Sequence, residues 1–169
     1  IVAILRLADL SQAVAISRAL ASGGIVVQEF TLTNPDALKV VREVKEALAQ
    51  DGLKAAVGIG SVRSVDEARA ALTASADFIV SPTTNLNVID ACVQADVVVM
   101  PGAFTPTEIA TAWEAGADVV KVFPARGLGP DYIKDVLAPM PYLKLMPTGG
   151  IDLKNLQSYF AAGAVAVGT

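Results

Sequence analysis

The chain has 169 residues, enough for one domain with a substantial core, and 53% of them are hydrophobic while only 5% are aromatic. A net charge of −4 without any cluster of lysine and arginine argues against nucleic acid as a partner, and no apolar run approaches the roughly 20 residues of a membrane span. Because there is no histidine and only one cysteine, Cys92, we exclude a histidine-based triad, a zinc site and a disulfide framework, and we expect a cytoplasmic protein without a metal.

Eight short apolar runs rich in β-branched residues recur along the chain and predict eight strands. In chain order these runs span residues 1–5, 25–30, 54–59, 77–81, 96–100, 118–123, 143–147 and 164–168. Their starts lie about 19 to 29 residues apart, the length of one βα unit, and the segments between them are apolar at helical spacing. Two predicted helices begin with the pattern of a capping box, Ser64 with Glu67 and Thr105 with Glu108.

Strands that alternate with helices predict an α/β domain built on a parallel sheet. Closure into a (β/α)8 TIM barrel is favoured over an open doubly wound sheet, because the strand count is eight and no Gly-x-Gly-x-x-Gly turn follows the first strand. Residues 1–169 are thus predicted to form one barrel domain. Since the sequence stops just after the eighth strand, we expect the last helix to be missing and the chain to be trimmed at its C-terminus.

Polar side chains stand at the carboxyl ends of several predicted strands, the end of a TIM barrel that carries the chemistry. Strand alternation places Glu29 with Val27, and Ser61 on the face of Val57 and Ile59. The polar residues predicted to gather at this rim are Arg6, Glu29, Ser61, Ser81, Lys121 and Thr148.

Lys121 lies inside the apolar run Val119-Val120-Lys121-Val122-Phe123. If it points into the barrel, desolvation disfavours the ammonium form, and the resulting neutral amine can attack a ketone. The alternative is a lysine that extends to solvent or pairs with a carboxylate. Glu29 raises the same question, because a buried carboxyl is either a tuned general acid–base or part of an ion pair with Lys121 or Arg6. The presence of both residues at one mouth of the barrel favours a catalytic role for them.

The segment Thr148-Gly149-Gly150-Ile151-Asp152 follows the seventh strand. Glycines in such a turn let backbone N–H groups reach an anion, and a phosphate site in this part of a TIM barrel is common. A pair of glycines is also typical of an ordinary turn, so the segment alone does not establish a ligand.

Seven short motifs follow one another in register along nearly the whole chain. Together they resemble the family of 2-keto-3-deoxy-6-phosphogluconate aldolases, which includes 4-hydroxy-2-oxoglutarate and 2-keto-3-deoxy-6-phosphogalactonate aldolases. The motifs are Ile4-Leu5-Arg6, Glu29-Phe30-Thr31-Leu32, Gly58-Ile59-Gly60-Ser61, Ser81-Pro82, Pro101-Gly102, Lys121-Val122-Phe123-Pro124-Ala125 and Pro147-Thr148-Gly149-Gly150-Ile151.

The resemblance implies a class I aldolase in which Lys121 forms a Schiff base with the pyruvate carbonyl and Glu29 moves protons. It implies no cofactor, a phosphorylated aldehyde as the second product and a homotrimer. Ser61 and Thr148 match positions near the pyruvyl carboxylate, and Arg6 matches an arginine that faces the anionic substrate. The remaining substrate-binding positions are Pro82 and, on the phosphate side, Gly149, Gly150 and Gly168.

One departure concerns the substrate. The family often carries an arginine near the substrate carboxylate where this chain has Thr33, so a bidentate charged contact is lost. The leading hypothesis is cleavage of a 2-keto-3-deoxy sugar acid 6-phosphate to pyruvate and glyceraldehyde 3-phosphate. The alternatives are 4-hydroxy-2-oxoglutarate cleavage to pyruvate and glyoxylate, a barrel that only binds a phosphorylated metabolite, and a phosphosugar isomerase or epimerase.

Overall fold

A computed structural model describes all residues from Ile1 to Thr169 as strands that alternate with helices. The strands are β1 (Val2–Leu5), β2 (Val27–Thr31), β3 (Ala56–Gly60), β4 (Phe78–Val80), β5 (Val98–Met100), β6 (Gly102–Ala103), β7 (Val120–Val122) and β8 (Leu145–Pro147). The α-helices are α1 (Ala13–Ser22), α2 (Ala37–Gln50), α3 (Val65–Thr73), α4 (Leu86–Gln94), α5 (Pro106–Glu114), α6 (Gly129–Leu137) and α7 (Leu156–Ala161), and a 3₁₀ helix spans Ala125–Gly127.

All strand pairs are parallel, as the alternating pattern predicts. Strands β1 to β5 pair in chain order, and so do β6 to β8. The predicted fifth strand at residues 96–100 is present as β5. Pro101, which has no N–H to donate, separates it from the short strand β6, which was not predicted and belongs to the other sheet. The Pro101 carbonyl still accepts a hydrogen bond from the Lys121 N–H at 2.9 Å, so β7 lies directly beside the segment that joins β5 to β6.

The prediction of a regular eighth strand at residues 164–168 is wrong. Only isolated bridges form there, where Gly168 pairs in parallel with both Val2 and Thr148. The segment alternates valine with alanine and glycine, residues of low strand propensity, which is the physical reason for its short pairing. These bridges place Gly168 between the first strand and the end of β8.

Two hydrophobic clusters separate the layers of the fold. The larger one holds 33 buried residues between strands and helices, and it contains Val57 and Ile59 of β3. The smaller cluster fills the interior of the barrel with five buried residues, Val2, Phe78, Val80, Met100 and Met146, with Val27 and Val119 packed against them. Because Glu29 alternates with Val27 and Lys121 with Val119, both polar residues belong to the interior face.

Of the two predicted capping boxes, one is confirmed completely and the other only in part. Thr105 and Glu108 form the complete capping box of α5. The Ser64 hydroxyl accepts a hydrogen bond from the Glu67 N–H, but the Glu67 carboxylate accepts one from the Arg63 N–H instead of from the Ser64 N–H.

Cys92 is fully buried in α4, and burial raises the pKa of its thiol to about 11, so it behaves as a small hydrophobic residue. None of the helices has the length and apolar character needed to cross a membrane.

Candidate active site

Lys121 lies in the middle of β7, where its backbone is paired with Gly102 on one side and Met146 on the other. Its side chain points into the barrel and is only 6% exposed. Desolvation lowers the pKa of its amine, the nearby Glu29 carboxylate opposes this shift, and Arg6 lowers the pKa further because it is a like charge. The burial predicted from the apolar run is therefore confirmed.

Glu29 occupies the interior face of β2 and is 1% exposed. Desolvation raises the pKa of its carboxyl, while the positive charges of Lys121 and Arg6 act in the opposite direction. Its Oε2 atom has no hydrogen-bond partner within the protein, and neither Glu29 nor Lys121 is part of an ion pair within 4.0 Å. The two groups thus share one desolvated space without the close salt bridge that a purely structural role would use.

This arrangement favours the uncharged forms of both side chains. A neutral amine is a nucleophile toward a carbonyl group, and a carboxyl with a raised pKa can act as a general acid and base. Phe123 forms one wall of the space, because the Lys121 Nζ atom lies 4.9 Å from the centre of its ring. The Phe123 ring also contacts Gly149, since a β-carbon placed there would lie 3.4 Å from Cδ2 and Cε2 of the ring.

Gly60 at the end of β3 makes room for the Glu29 carboxyl, a role that our sequence analysis did not recognise. A β-carbon added at Gly60 would overlap the carboxyl group of Glu29 directly. The backbone pairing of Gly60 with Thr31 fixes the two strands, so this contact cannot be relieved by a flexible loop. A glycine inside a strand is a known sign of close approach by a neighbour, and that signal was available in Gly58-Ile59-Gly60.

Replacing Gly60 with alanine is expected to displace the Glu29 carboxyl and to lower kcat at least about tenfold, because general acid–base groups contribute about 10²–10⁴-fold in their proper position. Steady-state kinetics of the catalysed reaction would measure the effect. The matched control is Gly127→Ala, where an added β-carbon meets no atom within 4 Å. If the loss reflects Glu29, adding Gly60→Ala to Glu29→Gln changes kcat little further; full additivity of the two losses contradicts the assignment.

Ser61 and Pro82 line one cavity of about 210 Å³ together with Leu32, Thr33 and Arg63. The alternation argument that put Ser61 on the face of Val57 and Ile59 is wrong in its reasoning, because that face packs against the helices. Ser61 has φ +62°, so strand alternation ends at Gly60 and the chain turns there. Backbone conformation, not strand periodicity, brings Ser61 to the cavity.

Thr33, which replaces the family arginine, lies beside two cavities. Besides the space shared with Ser61, it lines a second cavity of about 450 Å³ with Arg6, Leu7, Ala8, Asn34 and Pro35. Its hydroxyl lies 2.7 Å from that of Thr31, so the two form a hydrogen bond at the end of β2. The largest cavity, about 590 Å³, lies near the amino ends of β2 and β3 and contains none of the predicted site residues.

Thr148 and Gly168 meet where the barrel returns to β1. Thr148 is buried, and its hydroxyl donates a hydrogen bond of 3.3 Å to the Met146 carbonyl. Gly168 packs so closely that a β-carbon there would lie 2.5 Å from the Thr148 Oγ1 atom and 3.0 Å from Ile4 Cδ1. Beyond Thr148, Gly149 and Gly150 have φ values of +93° and +82°, a conformation that favours glycine.

Pro82 reaches the lysine strand through its backbone. A β-carbon on Gly102 would overlap the Pro82 carbonyl group, and Gly102 is paired with Lys121. The predicted site residues therefore fall into three groups. Glu29 and Lys121 are buried in the interior, and the exposed Arg6 is close enough to act on the pKa of both. Ser61 and Pro82 line one cavity, and Thr148 lies with Gly149, Gly150 and Gly168 on the other side. No group of three or more His, Cys, Asp or Glu side chains is placed to hold a metal ion.

A parallel α/β barrel whose interior face carries a buried amine and a buried carboxyl is typical of TIM-barrel enzymes that act on small molecules. Over residues 1–169 the chain matches the family described as KDPG and KHG aldolase. The chain belongs to this family, and it is an aldolase.

Individual relatives agree with this assignment. The chain is 37% identical over 162 residues to the 2-dehydro-3-deoxy-phosphogluconate aldolase of Treponema pallidum, covering 95% of this chain and 75% of the relative. It is 32% identical over 169 residues to the 2-dehydro-3-deoxy-6-phosphogalactonate aldolase of Escherichia coli K12, covering 99% and 81%. The crystal structure of KDPG aldolase from Legionella pneumophila, with pyruvate captured at low pH as a covalent carbinolamine intermediate, superimposes with a TM-score of 0.87 at 27% identity, covering 99% and 81%. The predicted TIM-barrel fold is confirmed.

Proposed function

We propose that this aldolase reversibly cleaves a 2-keto-3-deoxy sugar acid 6-phosphate to pyruvate and glyceraldehyde 3-phosphate through a Schiff base on Lys121. The observation that carries the proposal is the burial of the Lys121 amine, whose pKa is lowered by desolvation, beside the equally buried Glu29 carboxyl. The names of the relatives from T. pallidum and E. coli support the substrate class. The pyruvate carbinolamine in the L. pneumophila enzyme supports covalent chemistry with the keto group.

The reaction begins when the neutral Lys121 Nζ attacks the C2 carbonyl carbon and forms a carbinolamine. Glu29 donates a proton to the departing hydroxyl, water leaves, and an iminium ion remains. The ionised Glu29 then accepts the C4 hydroxyl proton, the C3–C4 bond breaks, and its electron pair moves into the iminium. The aldehyde is released, the enamine is protonated at C3, and hydrolysis gives pyruvate and the free amine.

The other residues of the site divide the substrate between them in this proposal. Ser61 and Thr148 hold the pyruvyl carboxylate, and Arg6 adds a positive charge that attracts the anionic keto acid. Pro82 forms the wall next to the lysine strand. The phosphate lies on the glycine side, with Gly149, Gly150 and Gly168, where Gly149 and Gly150 have positive φ angles and present backbone without side chains.

Borohydride reduction in the presence of pyruvate tests the proposal. Only a Schiff base becomes a stable secondary amine, so a mass increase on Lys121 is the expected result. A protein that binds phosphorylated metabolites without catalysis gives no adduct, and neither does an isomerase or epimerase that works by proton transfer alone. Separately from this test, the resemblance to the aldolase family supports the proposal that the protein is a cytoplasmic homotrimer.

A second candidate substrate is 4-hydroxy-2-oxoglutarate, which gives pyruvate and glyoxylate. The specific observation in its favour is that the matched family is described by both kinds of aldolase, KDPG and KHG, and this substrate needs no phosphate site. Thr33 in place of the family arginine leaves the choice between the two substrates open. Retro-aldol assays on a panel of keto acids with and without the phosphate separate the two substrates. We expect the phosphorylated sugar acids to have the higher kcat/KM.

Chelation is expected to leave the activity unchanged, because the protonated Schiff base itself accepts the electron pair of the broken bond. Turnover measured before and after treatment with excess chelator tests this. A loss that is restored by magnesium or manganese contradicts the Schiff-base route and indicates a metal-dependent aldolase.

A further inference from the structure

Arg126 lies in the 3₁₀ helix Ala125–Gly127, only a few residues beyond Lys121, and its side chain crosses the glycine turn after β8. A β-carbon placed at Gly150 would lie 2.9 Å from both Cβ and Nε of Arg126, so the arginine packs on the bare face of this glycine. The two segments are tied together, because the Ala125 N–H donates a hydrogen bond of 2.8 Å to the Thr148 carbonyl. The contact is thus part of the fold.

The backbone beneath Arg126 carries three unused donors. The N–H groups of Gly149, Gly150 and Ile151 donate no hydrogen bond to any group of the protein. Successive free N–H groups in a turn of this kind form a concave site for an anion. Gly149 is half-buried and Gly150 is exposed, so the turn can offer these donors to an anion that approaches from solvent.

The carbonyl groups of the same turn show which way the donors point. The Thr148 carbonyl accepts from Ala125, and the Gly150 carbonyl accepts from the Asn155 Nδ2 atom at 2.9 Å. In a trans peptide the N–H points opposite to the C=O. The N–H of Gly149 therefore points away from Ala125, and the N–H of Ile151 points away from Asn155.

Arg126 is available as a cation for an anion bound there. It is exposed and takes part in none of the five ion pairs of the molecule. A guanidinium presents five donors in a plane that matches two oxygens of a phosphate group. Arg6, the other cation of the site, acts on the pKa of Glu29 and Lys121 and lines the separate cavity beside Thr33 and Asn34.

We propose that Arg126 is a specificity-determining residue, which binds the phosphate group of the substrate against the Gly149–Ile151 turn and so selects phosphorylated over unphosphorylated substrates. This inference rests on the proposed function and assigns one further residue to it. Arg126 acts on binding and takes no part in bond breaking.

The test compares Arg126→Ala with wild type on 2-keto-3-deoxy-6-phosphogluconate and on the same sugar acid without phosphate. We expect KM for the phosphorylated substrate to rise about 10- to 100-fold, the range of one charge-assisted contact, with little change for the other substrate. Arg126→Lys should recover part of the loss, because lysine keeps the charge but not the planar fork. The matched control is Lys154→Ala, which removes an equally exposed positive charge just beyond the turn.

Two further measurements separate this inference from the proposed function. Inorganic phosphate should bind wild type and Lys154→Ala in calorimetry and bind Arg126→Ala more weakly, whereas borohydride trapping of pyruvate on Lys121 should be equal in all three. Unchanged KM for the phosphorylated substrate, or an equal loss for both substrates, overturns the role of Arg126 while trapping still supports the aldolase. If phosphate binding depends on Arg126 but wild type traps no pyruvate, the proposed function fails and only the phosphate contact of Arg126 stands, without its role in substrate selection.

Discussion

Replacing Lys121 with alanine is expected to abolish both turnover and the borohydride-reducible pyruvate adduct. The substitution removes the only amine that is buried inside the barrel, and without a nucleophile the C3–C4 bond has no electron sink. The fold should persist, because desolvation already disfavours the charged amine at this position. Mass spectrometry after reduction, together with circular dichroism, measures both expectations.

Lys144→Ala is the control for Lys121→Ala, since Lys144 stands just before the neighbouring strand β8 but is exposed. It should form the adduct as wild type does. In wild type the trapping rate should already reach its plateau at a pH below the pKa of an ordinary lysine, because the pKa of Lys121 is lowered. If Lys121→Ala still forms the adduct, another lysine is the nucleophile and the assignment of Lys121 is wrong.

Replacing Glu29 with glutamine is expected to lower kcat by about 10²–10⁴-fold, the usual contribution of a general acid–base. Glutamine keeps the size of the side chain and its capacity for hydrogen bonds, but it cannot carry the proton. Pyruvate should still be trapped on Lys121 at a reduced rate, because the amine remains. Steady-state kinetics and timed borohydride trapping measure the two effects separately.

The stability of Glu29→Gln provides an independent control. Burial raises the pKa of Glu29 in the folded state, so wild type loses stability as the pH rises from the ordinary carboxyl pKa through the raised one. The variant lacks this loss. The difference in the free energy of unfolding, variant minus wild type, should therefore be larger at pH 8 than at pH 4. Near-normal kcat with a lowered pH optimum would instead make Glu29 only a structural partner of Lys121.

The buried positions of Lys121 and Glu29 could be predicted from the sequence because both are charged residues within apolar strands. A lysine and a glutamate inside apolar strands have few structural explanations, and period-two alternation correctly put both in the barrel interior beside Val119 and Val27. The order of elements and the parallel barrel followed from the same periodicity. Their roles in the reaction remain predictions.

The features that could not be predicted depend on backbone conformation or on contacts between distant segments. Ser61 adopts φ +62°, which cannot be predicted from the backbone preferences of serine. The match between Gly60 and Glu29 depends on the strand register, and a one-residue shift would remove it. Arg126 looked like one more scattered surface charge, because only the folded chain brings it onto Gly150.

The interior glycines have a consequence for attempts to redesign this barrel. The space of each missing side chain is filled by a group from a neighbouring segment, the Phe78 ring over Gly58, the Glu29 carboxyl over Gly60 and the Thr148 side chain over Gly168. Saturation libraries that vary one position at a time would find almost every substitution at these glycines inactive. Libraries that change a glycine and its neighbour together, for example a larger residue at 58 with a smaller one at 78, should recover folded barrels with a reshaped interior.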